Sequence, residues 1–408
     1  GGEARARLLE PEGKPVLPTL DDAIAAPYPL LAHRDTASTW LAVPTDGSDR
    51  AVRVDAQPWM HDAERLASTA VAAASRGAKV LIIRNTDADC IETQIAVERA
   101  TRDGARSDLL FALSGCPAPH HSRFAREDRT SLDAELERRF GRQRPDGGCV
   151  VVATQTVQQS LDLDADLLLT DLCPADVLLQ RLGRLHRHRR TRPEAFSTPQ
   201  AIVTVPCNRD LGLLIGERGA ARGAAGLGTV YTDLRTLEAT WRLIEREPLW
   251  STPSMSRRLV EHSLHSKVLE AVVEEGGDRW RAHASHLAGT FAGERRLAEL
   301  NLVDWSKPYD ATSFPEGGIR RIPTRLGEDD RRVAFRPPVM GPFANAVGEL
   351  VLRGWWAADA SPDEVPNVVE SHAGVTRFRF GTREFLYDRL GLRLAPGPAE
   401  ETADDDGP

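Results

Sequence analysis

Cys149-Val150-Val151-Val152-Ala153 and then Leu167-Leu168-Leu169-Thr170 are near-continuous apolar runs of strand length, and a helical stretch from Ala175 to about Leu185 comes after them. A strand that is apolar at nearly every position is covered on both faces, the habit of parallel sheets with helices above and below. The same rhythm extends outward. Val80 to Ile83, Leu109 to Leu113 and Ala201 to Val205 also have strand length, and helical stretches run over Ala88 to Arg102 and Ser131 to Arg142. Met60 to Arg76 reads as an alanine-rich helix stopped by Gly77. Alternating strands and helices imply right-handed crossovers between parallel neighbours. Residues 59–215 are therefore expected to form one doubly wound α/β domain with ligands at the carboxyl ends of its strands.

On either side the pattern changes. Residues 1–58, rich in proline and charge, read as a lead-in. Residues 216–318 read as a helical linker: after the Gly/Ala-rich stretch Gly216 to Gly228, Leu234, Leu237, Trp241 and Ile244 recur at helical spacing. Residues 319–396 read as a small mixed α+β domain, with a turn at Leu326-Gly327-Glu328-Asp329 and the period-two stretch Val375-Thr376-Arg377-Phe378-Arg379-Phe380. That stretch suits either arginines lining a nucleic-acid path or solvated arginines on an amphipathic strand. The acidic tail 397–408 is expected to be disordered.

The chain has 408 residues, 41% of them hydrophobic, and so has room for two or three domains of roughly 100–200 residues. It shows no apolar run near the ~20 residues of a membrane span and no leader, from which a cytoplasmic protein is expected. The five cysteines include no C-x-x-C pair and suggest neither zinc nor disulfides. The net charge of −8 hides a local excess: from Gln180 to Arg192 there is a dense run of arginine and histidine with no acid until Glu194. On a helix, Arg184 and Arg187 share a face beside Gly183 and make two guanidinium forks for one phosphate. A solvated basic helix is the plainer reading. Two other places carry polar groups at strand ends: Thr154 and Gln155, with Asp162, Asp164 and Asp166 beyond them, and the loop Pro119-His120-His121-Ser122-Arg123-Phe124. The alternating aspartates suit an ordinary polar strand edge, the His pair a structural role. Met60-His61-Asp62 lacks the further ligands a metal needs, and no metal site is assigned.

Taken in order, Val80 to Thr86, His121-Ser122-Arg123-Phe124, Ala153-Thr154-Gln155 with Gln159-Ser160-Leu161-Asp162, and Gln180 to Arg187 resemble the second-lobe motifs of superfamily 2 helicases. More narrowly they resemble the helicase-nuclease of type I CRISPR systems, which joins an HD nuclease, two RecA-like lobes and a C-terminal domain. The resemblance implies a RecA-like second lobe, a helical linker and a C-terminal domain. It implies that Arg184 and Arg187 reach the γ-phosphate of ATP, that Gln180 and Arg181 bridge to the first lobe, and that Asp162, with Ser160, contacts the nucleotide. Asn85, Thr86, Ser122, Arg123, Thr154 and Gln155 would lie along single-stranded DNA. Gln158 stands where the family often has glutamate.

No phosphate loop G-x-x-x-x-G-K-[ST] and no Asp-Glu magnesium motif occur. The expectation is a C-terminal half whose ATP and Mg2+ are held mainly by a first lobe that, with the nuclease, is joined upstream or supplied in trans, so that the chain alone is inactive. A guide-RNA surveillance complex is the expected partner, with no membrane involved. The alternatives are a stand-alone second-lobe subunit that binds nucleic acid or scaffolds, and another superfamily 2 helicase of repair or RNA metabolism.

Overall fold

The computed structural model describes residues 19–26, 28–34, 38–43, 49–158, 161–300, 330–361 and 363–395. A short helix α1 (Leu20–Ala25) and the hairpin β1 (Leu30–Arg34) and β2 (Ser38–Ala42) come first. Next are β3 (Arg50–Gln57), α2 (Ala63–Ser75), β4 (Lys79–Ile83), α3 (Asp87–Asp103), the two-residue strands β5 (Ala112–Leu113) and β6 (Cys116–Pro117), and α4 (Arg126–Phe140). Then come β7 (Cys149–Ala153), β8 (Leu167–Asp171), α5 (Ala175–Leu182), β9 (Gln200–Thr204), α6 (Leu234–Arg246) and β10 (Leu249–Thr252). Helices α7 (Ser256–Leu264), α8 (Ser266–Gly276) and α9 (Asp278–Leu300) precede strands β11 (Arg331–Met340), β12 (Ala346–Leu352), β13 (Asn367–His372), β14 (Val375–Phe380), β15 (Arg383–Asp388) and β16 (Gly391–Leu394). No helix among the described residues is long and apolar enough to cross a membrane.

The main sheet has six strands in the order β10-β3-β9-β8-β4-β7, all parallel except β10 against β3. From β4 the chain steps outward to β7, then returns to β8 and β9 on the other side, so the direction of winding reverses between β4 and β8. Side chains alternate across this sheet: Leu81, Ile83, Val151 and Leu168 enter one buried cluster, Val80, Ile82, Val150, Val152 and Leu169 the other. Burying each such side chain contributes about 1.5–3 kcal/mol, and the polar residues of these strands, Lys79, Thr170 and Asp171, stand at their ends. Helix α2 starts where Asp62 accepts a hydrogen bond from the Arg65 amide at 2.8 Å and lays Leu66, Ala67, Ala70 and Ala74 on the sheet. Its alanines allow so close an approach that a Cβ on Gly148 would stand 1.8 Å from the Ala74 carbonyl.

Three expectations are corrected. Leu109 to Leu113 is not a strand of the sheet: it is a 3-10 turn, a single bridge from Leu110 to Val150, and half of a hairpin whose turn places Ser114 and Gly115 at positive φ. The sheet also draws on 50–57, read as lead-in, and on 249–252, read as linker. Strand β3 escaped notice because Val52 and Val54 alternate with Ala51, Arg53 and Asp55, a one-face pattern. Helix α5 stops at Leu182, short of Leu185. Leu234, Leu237, Trp241 and Ile244 are buried on one face of α6, as their spacing predicts.

The last strands form two antiparallel sheets, β11-β12 and β13-β14-β15-β16. Phe378 and Phe380 point into their core with Phe335 and Phe385, while Arg377 and Arg379 face Glu384 on the adjacent strand at 3.2 and 3.0 Å. That pairing favours the amphipathic-strand reading over a nucleic-acid path. The Leu326 to Asp329 turn and the acidic tail lie outside the described residues.

Candidate functional site at the two edges of the sheet

Helix α5 leaves the carboxyl end of β8 and runs back antiparallel, so the segment after it is delivered to the amino ends of the strands. Leu185 bridges to Ala165, just before β8 begins, with the His186 amide 3.0 Å from the Ala165 carbonyl. The arginine string therefore lies at the edge opposite to the one expected, and Arg184 and Arg187 sit beyond the helix rather than on one of its faces.

At this amino edge the aspartates of 162–166 are the partners of the arginines. Asp162 pairs with Arg187 at 2.5 Å and His188 at 2.9 Å; Asp164 pairs with Arg190 at 2.9 Å and Arg192 at 2.7 Å. Asp166 takes Arg144 at 2.6 Å, Arg192 at 2.5 Å and the Lys79 amide at 2.8 Å. Asp164 and Asp166 are 0% and 1% exposed, so they are structural clamps and not the plain polar edge expected. Burial alone would raise the Asp166 pKa, but Arg144 and the Lys79 amide hold it below the usual carboxylate value. Arg184 donates to the carbonyls of Leu161 and Gln158. Arg187, Arg189 and Gln180 remain on the rim of a cavity of about 1140 Å3, with Tyr28 and Arg257 across it. Ser160 lies outside the described residues.

The carboxyl edge holds the other group. Arg181 is 0% exposed and faces inward, which corrects its assignment as a bridge to another lobe. It donates to Gln158 Oε1 (3.0 Å), Thr170 Oγ1 (2.6 Å), the Asp171 carbonyl (3.0 Å), Asn85 Oδ1 (3.0 Å) and the Tyr231 hydroxyl (2.9 Å). Asn85 and Thr154, each 2% exposed, are likewise too buried for their side chains to lie along DNA. Beside them Arg84 meets Asp171 at 3.0 Å, and Asp171 also receives Thr204 at 2.6 Å. Gln155, half-buried, donates to the Asn85 carbonyl at 2.8 Å. Thr86 is the N-cap of α3 and half-exposed; Ser122 is exposed.

Arg123 is drawn away from the surface. It reaches Asp87 at 2.6 Å and lies over the Trp356 ring at 4.0 Å, so the loop that carries it is a joint with the last domain. His121 Nε2 donates to the Leu390 carbonyl at the same joint at 3.1 Å, and Asp128 accepts from Asn345 at 2.9 Å and from the Tyr387 hydroxyl. Burial brings the His121 pKa down to about 4 and raises that of Asp128. The residues missed in the sequence, Arg144, Asp128, Tyr231 and Tyr387, all act on partners distant along the chain, and no local motif announces them.

A mostly parallel sheet with helices on both faces, an arginine string returned to its amino edge and polar strand ends at the other, is an α/β architecture of the RecA-like kind. Residues 76–190 match a family model described as "CRISPR-associated nuclease/helicase Cas3, C-terminal". The CRISPR-associated endonuclease/helicase Cas3 of Thermus thermophilus is 38% identical over 283 residues, 68% of this chain and 26% of that protein. The Streptococcus thermophilus Cas3 is 42% identical over 221 residues, 50% of this chain and 23% of its own length. A crystal structure of T. fusca Cas3-ADP superposes with a TM-score of 0.66 at 22% identity, covering 90% of this chain and 46% of that one, and this likeness concerns the fold. The chain is similar to the C-terminal part of the Cas3 nuclease/helicases, and the matches span about a quarter of the length of these two curated relatives.

Proposed function

We propose that this chain is the second motor lobe and C-terminal domain of an ATP-dependent helicase-nuclease that translocates on and unwinds target DNA in type I CRISPR interference. The observation that carries the reading is the delivery of Arg184 and Arg187 to the amino edge, beside a wide basic cavity. ATP would lie between this edge and a first lobe. The Arg187–Asp162 pair is half-exposed, and exposed pairs of this kind contribute only about 0–1 kcal/mol, so a triphosphate can draw Arg187 away from Asp162. An arginine that reaches the transferred phosphoryl group accelerates hydrolysis by about 10³–10⁵. The carboxylates of this edge are taken up by arginines, so Mg2+ belongs with the first lobe.

Single-stranded DNA would pass the carboxyl edge, where the exposed Ser122 offers a hydroxyl donor to phosphates and Thr86, its own hydroxyl given to Asp89, caps the start of α3. A guide-RNA surveillance complex is the partner that would present this DNA; one structural relative is described as "CRISPR RNA-guided surveillance complex, pre-nicking". The test is DNA-stimulated ATPase of this chain alone and after adding a matched first lobe. Activity only on reconstitution, lost by about 10³-fold or more in Arg184→Ala/Arg187→Ala, is expected. Persistent inactivity in a demonstrated assembly would instead favour a scaffolding subunit.

A further inference from the structure

We infer that Tyr231 is a positioning residue for Arg184, acting through Arg181 and Gln158; the inference rests on the nucleotide-facing reading of the amino edge. Tyr231 lies outside every motif, at the end of the Gly/Ala-rich stretch. That stretch is pressed onto the carboxyl edge. Gly226 has φ +83°, and a Cβ there would stand 2.5 Å from Asn85 Cβ, while Asn85 Nδ2 donates to the Ala225 carbonyl at 3.3 Å. The Tyr231 hydroxyl, 2.9 Å from Arg181 Nη2, also interacts with the Gln155 side chain.

Arg181 is fully buried, and its hydrogen bonds go to neutral groups: two hydroxyls, a carbonyl and two side-chain amides. The neighbouring carboxylate, Asp171, is already paired with Arg84 at 3.0 Å. A buried guanidinium held only by dipoles is placed by the whole set, so removing one acceptor leaves an N–H unsatisfied and tilts the fork. Gln158 is the pivot. Its side-chain oxygen holds Arg181 at 3.0 Å, and its main-chain carbonyl accepts from Arg184 Nη2. A shift of the loop that bears Tyr231, or of the strand end at Asn85 and Gln155, therefore reaches Arg184 from the far side of the sheet.

The reconstituted ATPase tests this with Tyr231→Phe, which removes only the hydroxyl. The expected result is an approximately tenfold fall in DNA-stimulated kcat with KM for ATP within about twofold, because a displaced arginine finger weakens the transition state more than the ground state. Gln158→Leu should do the same, and Gln158→Glu, which keeps an acceptor oxygen, should restore the rate. In an Arg184→Ala background Tyr231→Phe should add nothing. A wild-type kcat in Tyr231→Phe, or independent effects of the two changes, overturns the inference, whereas a harmless Arg184→Ala overturns the nucleotide-facing reading itself. On this chain alone, amide hydrogen exchange at Arg184 and Leu185 should quicken in Tyr231→Phe and Gln158→Leu but not in Gln158→Glu; unchanged exchange also overturns it.

Discussion

Arg181 and Arg184 stand in one short string, yet one is sealed under the carboxyl edge among neutral dipoles and the other leans on main-chain carbonyls at the amino edge, beside Arg187 and its carboxylate. The amino edge meets arginine with acid and leaves Arg187 and Arg189 reachable; the carboxyl edge meets arginine with hydroxyls, amides and one buried acid, and leaves Arg84 and Arg181 out of reach. Charge density in a sequence therefore says little about which arginines face a ligand. The deciding feature is where the helix between them ends.

The sealed edge should be the fragile one. Asp171→Ala strands Arg84 in the core and is expected to lower stability by about 3–5 kcal/mol, read as a shift of the urea midpoint. A loss under about 1 kcal/mol would break the contrast. Beneath the last domain, His121 stays neutral in the fold until about pH 4, while the unfolded chain takes up its proton near pH 6.5. Its contribution is thus complete above pH 6.5 and is lost as pH falls through 4, by roughly 3 kcal/mol in all; His121→Gln should flatten that part of the stability profile. Gly226→Ala, strained at φ +83° and crowded against Asn85, should cost about 1–3 kcal/mol and lower Tm. At the reachable edge, Asp162→Ala breaks a half-exposed pair and should change stability by less than about 1 kcal/mol.

Much of the fold was legible because the central strands are apolar at nearly every position. Strand β3 was not, since its alternating Arg53 and Asp55 give it the look of a charged lead-in, and β10 hides between two helices. The arginine string was legible as special, but its edge was not, because that depends on α5 crossing the sheet. Asp162, Asp164 and Asp166 were visible as an alternating set, while their pairing with residues about 25 positions on is a tertiary fact. The HSRF loop was read for DNA because nothing near it names Trp356 or Tyr387, which claim Arg123 and Asp128 from the other end of the chain.

Helix α5 also acts as a ruler. Its eight residues advance about 12 Å back alongside the five residues of β8, and they set both where Arg184 arrives and which way it points. Apolar exchanges along it should be tolerated, but inserting or deleting one residue would turn everything beyond by about 100° and part Arg184 from Gln158. In the drift of related genes, this segment should vary in letters and hold its length.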